Sequence, residues 1–98
     1  MRNFQELESL STRLLSLMFD EFSDSEIQEV KEFIQHSEYG LALETFIDIV
    51  SEESKNISQE TLDVAMKTAA EMDHDCMKVE QKMLRFVVRN GEGERNVT

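Results

Sequence analysis

With 98 residues, 21 Asp and Glu against 10 Lys and Arg and a formal net charge of −11, the chain is one small acidic domain, too small for a multi-site enzyme. The same field repels phosphate, which disfavours nucleic acid as a direct ligand and favours a cationic protein partner. A single cysteine, Cys76, excludes an internal disulfide, and with no Pro and two of its three Gly in the last eight residues the chain has almost no helix breakers before position 90.

Long helices follow. Phe4, Leu7, Leu10, Leu14, Leu15 and Met18 recur at steps of three and four, which predicts a first helix over about Asn3 to Glu21 with Ser9, Arg13, Ser16 and Asp20 outward. Phe19 and Phe22 mark a turn, and Ser23 with Glu26 three residues later is a capping-box pattern. It opens a second helix, about Asp24 to Gln35, with Ile27, Val30, Phe33 and Ile34 inward and Gln28, Glu29, Glu32 and Gln35 outward. After His36 and Ser37 a third helix runs from about Glu38 to Glu53. Its inward set is Tyr39, Leu43, Phe46, Ile47 and Val50, and opposite them Glu44, Asp48 and Glu52 repeat every four residues. Leu41 falls among those carboxylates, an apolar residue in an acidic stripe.

Ser54-Lys55-Asn56 breaks the pattern, and Ile57 ahead of Ser58 reads as a staple residue before an N-cap. The fourth helix extends from there to about Met72, with a small, flexible inward face of Leu62, Ala65, Met66, Ala69 and Met72. A fifth, from Cys76 to about Asn90, places Cys76, Val79, Met83, Phe86 and Val87 on one side and Lys78, Lys82, Arg85 and Arg89 on the other. That basic stripe is real charge segregation: residues 1–75 hold 5 basic and 18 acidic side chains, residues 76–98 hold 5 and 3. These elements predict an all-α fold, a compact bundle of four to five helices, with residues 1–90 as one helical domain and 91–98 as a flexible tail. Met1 to Glu6 has no apolar segment and no apolar run is long enough to span a bilayer, so a soluble, unexported, cytoplasmic protein without membrane contact is expected.

Catalytic and metal-binding patterns are absent from the sequence. Asp73, His74, Asp75 and Cys76 are adjacent, but neighbours on one chain rarely converge on one ion, and there is no spaced Cys/His set, EF-hand loop or His pair at helical spacing. No metal and no cofactor is expected. The periodic position of Cys76 is inward, so it reads as a buried structural cysteine. With no nucleophile–base pair and no Gly-rich phosphate loop, no enzymatic activity is expected. The basic stripe lacks interleaved aromatics and reads as a solvated face; as a nucleic-acid surface it would show steep salt dependence.

The acidic rows carry the functional reading. Glu29 and Glu32 on the second helix and Glu44, Asp48 and Glu52 on the third can present carboxylates along two outward faces of a helical hairpin, with Tyr39 as an aromatic anchor and Leu41 adding apolar contact where exposed. Such a surface suits a partner lined with Lys and Arg, and it also suits plain solvation of an acidic protein.

The central stretch His36-Ser37-Glu38-Tyr39-Gly40-Leu41-Ala42-Leu43-Glu44 resembles the MafI family of bacterial immunity proteins. The layout around it is similar: an amphipathic leading helix (Phe4 to Phe22), a Ser-capped acidic second helix (Ser23 to Gln35), the Glu-Tyr-x-Leu-Ala-Leu-Glu segment opening the third, and a Ser-introduced fourth (Ser58 to Met72). Family members commonly carry Gly where this chain has Ser37 and end soon after the fourth helix, so the fifth helix lies outside the resemblance. The resemblance implies a cytoplasmic immunity protein of a polymorphic toxin or contact-dependent growth inhibition system. Such a protein would form a heterodimer with the C-terminal domain of its cognate toxin, often a nuclease such as an EndoU-like RNase, by plugging its basic cleft or binding beside it. Weak homodimerisation of the free protein is left open. The competing expectation is a small acidic regulatory adaptor that binds a basic protein, with no toxin involved.

Overall fold

The computed structural model describes residues 3–88, which form α1 (Phe4–Ser16), α2 (Asp24–Gln35), α3 (Tyr39–Glu52), α4 (Gln59–Glu71), α5 (Cys76–Met83) and a 3-10 turn, Leu84–Phe86. Four of the helices begin on a side chain that takes up otherwise unpartnered N–H groups. Asn3 accepts from the Glu6 amide at 3.1 Å, Ser58 from the Thr61 amide at 3.0 Å, and Asp75 from the Met77 and Lys78 amides at 3.0 and 3.4 Å. At α2 the capping box closes in both directions: the Glu26 amide donates to Ser23 Oγ at 3.2 Å and the Ser23 amide to Glu26 Oε1 at 2.9 Å. Only α3 starts without a side-chain cap bond.

The ends of α2, α3 and α4 share one device. Ser37 (φ 59°), Ser54 (φ 52°) and Asp73 (φ 60°) each take the left-handed conformation just past the helix, although none is glycine. The chain reverses there through Schellman-type bonds: Glu38 N–H to the Phe33 carbonyl at 2.8 Å, Lys55 N–H to Val50 at 2.9 Å and His74 N–H to Ala69 at 2.8 Å. A Cβ at such a φ is strained. Ser37→Gly is therefore expected to stabilise the domain by about 0.5–1 kcal/mol, read as a higher urea midpoint with an unchanged m value.

Contacts between helix ends give the directions. Phe4 and Tyr39, the first residues of α1 and α3, bring their rings to 6.4 Å, and Gly40 of α3 lies against His74 just ahead of α5. Arg13 near the end of α1 pairs with Glu60 at the start of α4, and Lys55 after α3 pairs with Glu26 at the start of α2 at 3.1 Å. So α1, α3 and α5 run one way and α2 and α4 the other, an up-and-down bundle in which α3 touches all four other helices. Phe46 and Val50 of α3, Ala65 and Ala69 of α4 and Met83 of α5 have no exposed surface. The two alanines let α4 sit close to its neighbours, while Leu7, Leu14, Met18, Val30 and Leu62 fill the space between helices.

Three expectations are corrected. α1 stops at Ser16 and not near Glu21, because the chain turns through Leu17–Phe22 with Met18 N–H on the Leu15 carbonyl (3.0 Å) and Phe22 N–H on Met18 (2.8 Å). The turn lets both Met18 and Phe22 enter the core, Phe22 with its ring 5.1 Å from that of Phe46. Phe4, expected inward, is 62 % exposed, since it precedes the first layer of the core and meets only its edge. α5 ends at Met83 and does not continue to Asn90. Val87 is extended and forms a parallel bridge with Ile57: Ile57 N–H donates to the Phe86 carbonyl at 3.0 Å and Val88 N–H to the Ile57 carbonyl at 2.7 Å. Ile57 is buried, so its backbone groups need partners, and the β-branched Val87-Val88 pair suits an extended strand better than a helix. Arg89, Asn90 and the tail expected to be flexible lie outside the described residues.

Glu26 links the capping box to Lys55. The hydrogen bond from the Ser23 amide holds its carboxyl below the usual carboxylate range against the opposing effect of burial, with Lys55 adding a hydrogen bond and its positive charge. A depressed carboxylate stabilises the fold above its unfolded pKa, and that stability is lost as pH falls through the lower, folded value. Glu26→Gln is thus expected to lower the urea midpoint at neutral pH, with the difference from the parent protein shrinking as pH falls through the folded value.

Candidate functional site

α3 buries seven residues and leaves a single outward stripe. At 3.6 residues per turn, the steps from Leu41 to Glu44, Asp48 and Glu52 keep these side chains together once Tyr39, Leu43, Phe46, Ile47 and Val50 face the core. Glu44, Asp48 and Glu52 are exposed and Leu41 is 44 % exposed, as the periodicity required. Glu29 and Glu32 are exposed on α2.

Tyr39 is the exception among the expected site residues. It is 5 % exposed and belongs to the core, because it shares the buried face with Leu43, Phe46 and Val50, so it is not available as a surface anchor. The exposed aromatic beside it is Phe4. With Leu7, Leu41 and Met72 these rings border a cavity of about 280 Å³ at the end of the bundle where α1 and α3 begin.

The acidic stripe has a neighbour that helix periodicity does not reveal. Glu44 and Asp48 form one wall of a groove of about 470 Å³ between α3 and α5, and Lys78 and Lys82 form the other, above a floor of Leu43, Ile47 and Val79. His74 and Asp75 also line it. Among the described residues the ion pairs are Arg13–Glu60 and Lys55–Glu26, so no ion pair closes across this groove. Glu29, Glu32 and Glu52 border neither cavity. The structure thus joins Leu41, Glu44 and Asp48 to Phe4, Lys78 and Lys82, and leaves the α2 carboxylates apart.

Gly40 has an ordinary φ, and a Cβ built on it would meet His74 Cε1 at 3.5 Å, an ordinary contact. Cys76, expected to be buried, is only half-buried, because it opens α5 at the edge of the core, with its Sγ 3.4 Å from the Met66 carbonyl oxygen. Among the described residues no three His, Cys, Asp or Glu are placed to hold a metal ion, and no helix is long and apolar enough to cross a membrane. Lys78, Lys82 and Arg85 are exposed, the last with its guanidinium 4.9 Å from the centre of the Phe86 ring.

These features define the described residues as an all-α five-helix domain that carries two oppositely charged walls beside an exposed apolar edge. No protein-family model, curated protein or solved structure matches the chain.

Proposed function

We propose that this chain is an immunity protein of the MafI-like kind, a non-enzymatic inhibitor that binds the C-terminal domain of a cognate bacterial toxin, a nuclease with a cationic cleft, in the cytoplasm. The observation that carries the reading is the stripe on α3, in which Glu44 and Asp48 stand exposed and without ion-pair partners beside exposed Leu41 and Phe4. A chain of net charge −11 accelerates encounter with a basic protein, and desolvated apolar contacts next to unpaired carboxylates then slow dissociation. An RNase must offer cations to its substrate, and a carboxylate row meets the same cations. Phe4 takes the aromatic role first expected of Tyr39; Glu29, Glu32 and Glu52 act at the rim and contribute mainly to association rate.

The test is co-expression with the domain encoded by the 3′ end of the reading frame immediately upstream, for which the reading requires a large secreted protein, scoring growth and co-purification together. Rescue with a stable heterodimer supports the reading. Continued toxicity with no complex favours the acidic adaptor, whose partner would then be sought among basic regulatory proteins.

A further inference from the structure

An acidic decoy has no need of lysines in its binding surface, yet Lys78 and Lys82 line the same groove as Glu44 and Asp48. They repel the partner that the carboxylates attract. Glu44 and Asp48 are four residues apart on α3, Lys78 and Lys82 four apart on α5, and the two helices run parallel. Along Glu44–Asp48 and Lys78–Lys82 each wall therefore repeats its charge about every 6 Å, one helical turn, and the two are in step, while Asp75 at the N-cap of α5 adds a carboxylate at one end of the groove. The opposite charges do not close onto each other, and the floor between them is apolar.

We infer that the α3–α5 groove is the docking site for one helix of the partner. That helix carries Lys or Arg at i and i+4 on the flank facing α3, Asp or Glu at i and i+4 on the flank facing α5, and a small apolar ridge between them. Charge complementarity selects this occupant: a uniformly basic helix meets Lys78 and Lys82, a uniformly acidic one meets Glu44 and Asp48, and a helix docked in the reverse direction meets like charge on both walls. The groove volume, about 470 Å³, accommodates the ridge side chains while the helix backbone stays outside. The inference rests on the immunity reading in taking the toxin domain as the source of the helix. It also gives the basic stripe of α5 a purpose in an acidic protein, which is to specify partner and register.

Titration calorimetry of the upstream-encoded domain against the full chain tests this. Lys78→Glu/Lys82→Glu is expected to weaken binding about a hundredfold and Lys78→Gln/Lys82→Gln less so. The Gln variant is the control for the fold, with a nearly unchanged thermal melt because both lysines are exposed and hold no ion pair, whereas the Glu variant adds repulsion from Glu44 and Asp48. Equal or tighter binding by either lysine variant overturns the inference and leaves a simple acidic decoy. A second arm uses two stapled helical peptides with the same apolar ridge, one with Arg on one flank and Glu on the other, one with Arg on both. Amide shifts at Glu44, Asp48, Lys78 and Lys82 with the mixed peptide alone support the groove. Equal response to both peptides overturns it. A mixed-peptide response without any toxin complex keeps the groove and removes the immunity reading, so the two failures are separable.

Discussion

Glu44→Lys/Asp48→Lys is expected to weaken the proposed toxin complex by about a hundredfold or more while lowering the melting temperature of the free protein only modestly. Both side chains are exposed and hold no ion pair, so no packing is lost, and the only cost to the fold is repulsion from Lys78 and Lys82 across the groove. The partner loses two attractions and gains two repulsions at the centre of the surface. A control with the same change in net charge, Asp20→Lys/Glu21→Lys in the turn after α1, alters the long-range field equally but lies at the other end of the bundle. It is expected to slow association a few-fold and to leave dissociation unaltered. Surface plasmon resonance separates the two rates, and equal effects from both double variants would move the interface away from α3.

Phe46→Ala is the substitution with the largest expected effect on folding. Phe46 has no exposed surface, its ring lies 5.1 Å from that of Phe22, and it sits on the helix that touches every other. Truncation removes the apolar contacts of a whole ring and leaves a cavity that four packed helices cannot close, at a cost of about 3–5 kcal/mol. Domains of this size have a total stability of roughly 5–10 kcal/mol, so the variant is expected to be partly unfolded at 37 °C. Phe46→Leu retains most of the volume and is expected to cost about half as much or less. Urea unfolding followed by far-UV circular dichroism measures both, and a small loss for the alanine variant would mean that α3 is not the organising helix.

The helical bundle was legible because its signals are local. The capping box at Ser23 and Glu26, the N-cap at Ser58 and the buried faces of α2 and α3 depend on residues three and four apart, and the structure has them where that spacing puts them. The stripe of Leu41, Glu44, Asp48 and Glu52 was legible for the same reason. Periodicity misplaced Tyr39 only in role: the sequence put it on the inward face, and its proximity to the helix start suggested an accessibility that the packed ring does not have. Phe4 gave the opposite error, since a matching period carries no information about whether the core extends as far as the first turn.

Charge, helicity, the caps at Ser23 and Ser58 and the buried face of α3 were determined by the sequence itself, because each is set by composition or by contacts within about one turn. The tertiary structure alone decided that α5 ends at Met83, where pairing of Ile57 with Val87 supplies partners for a buried backbone 30 residues away in the chain. It alone decided, too, that Lys78 and Lys82 share a groove with Glu44 and Asp48. Which faces of two helices meet depends on how five of them close around Phe46, a non-local choice that no spacing within either helix records.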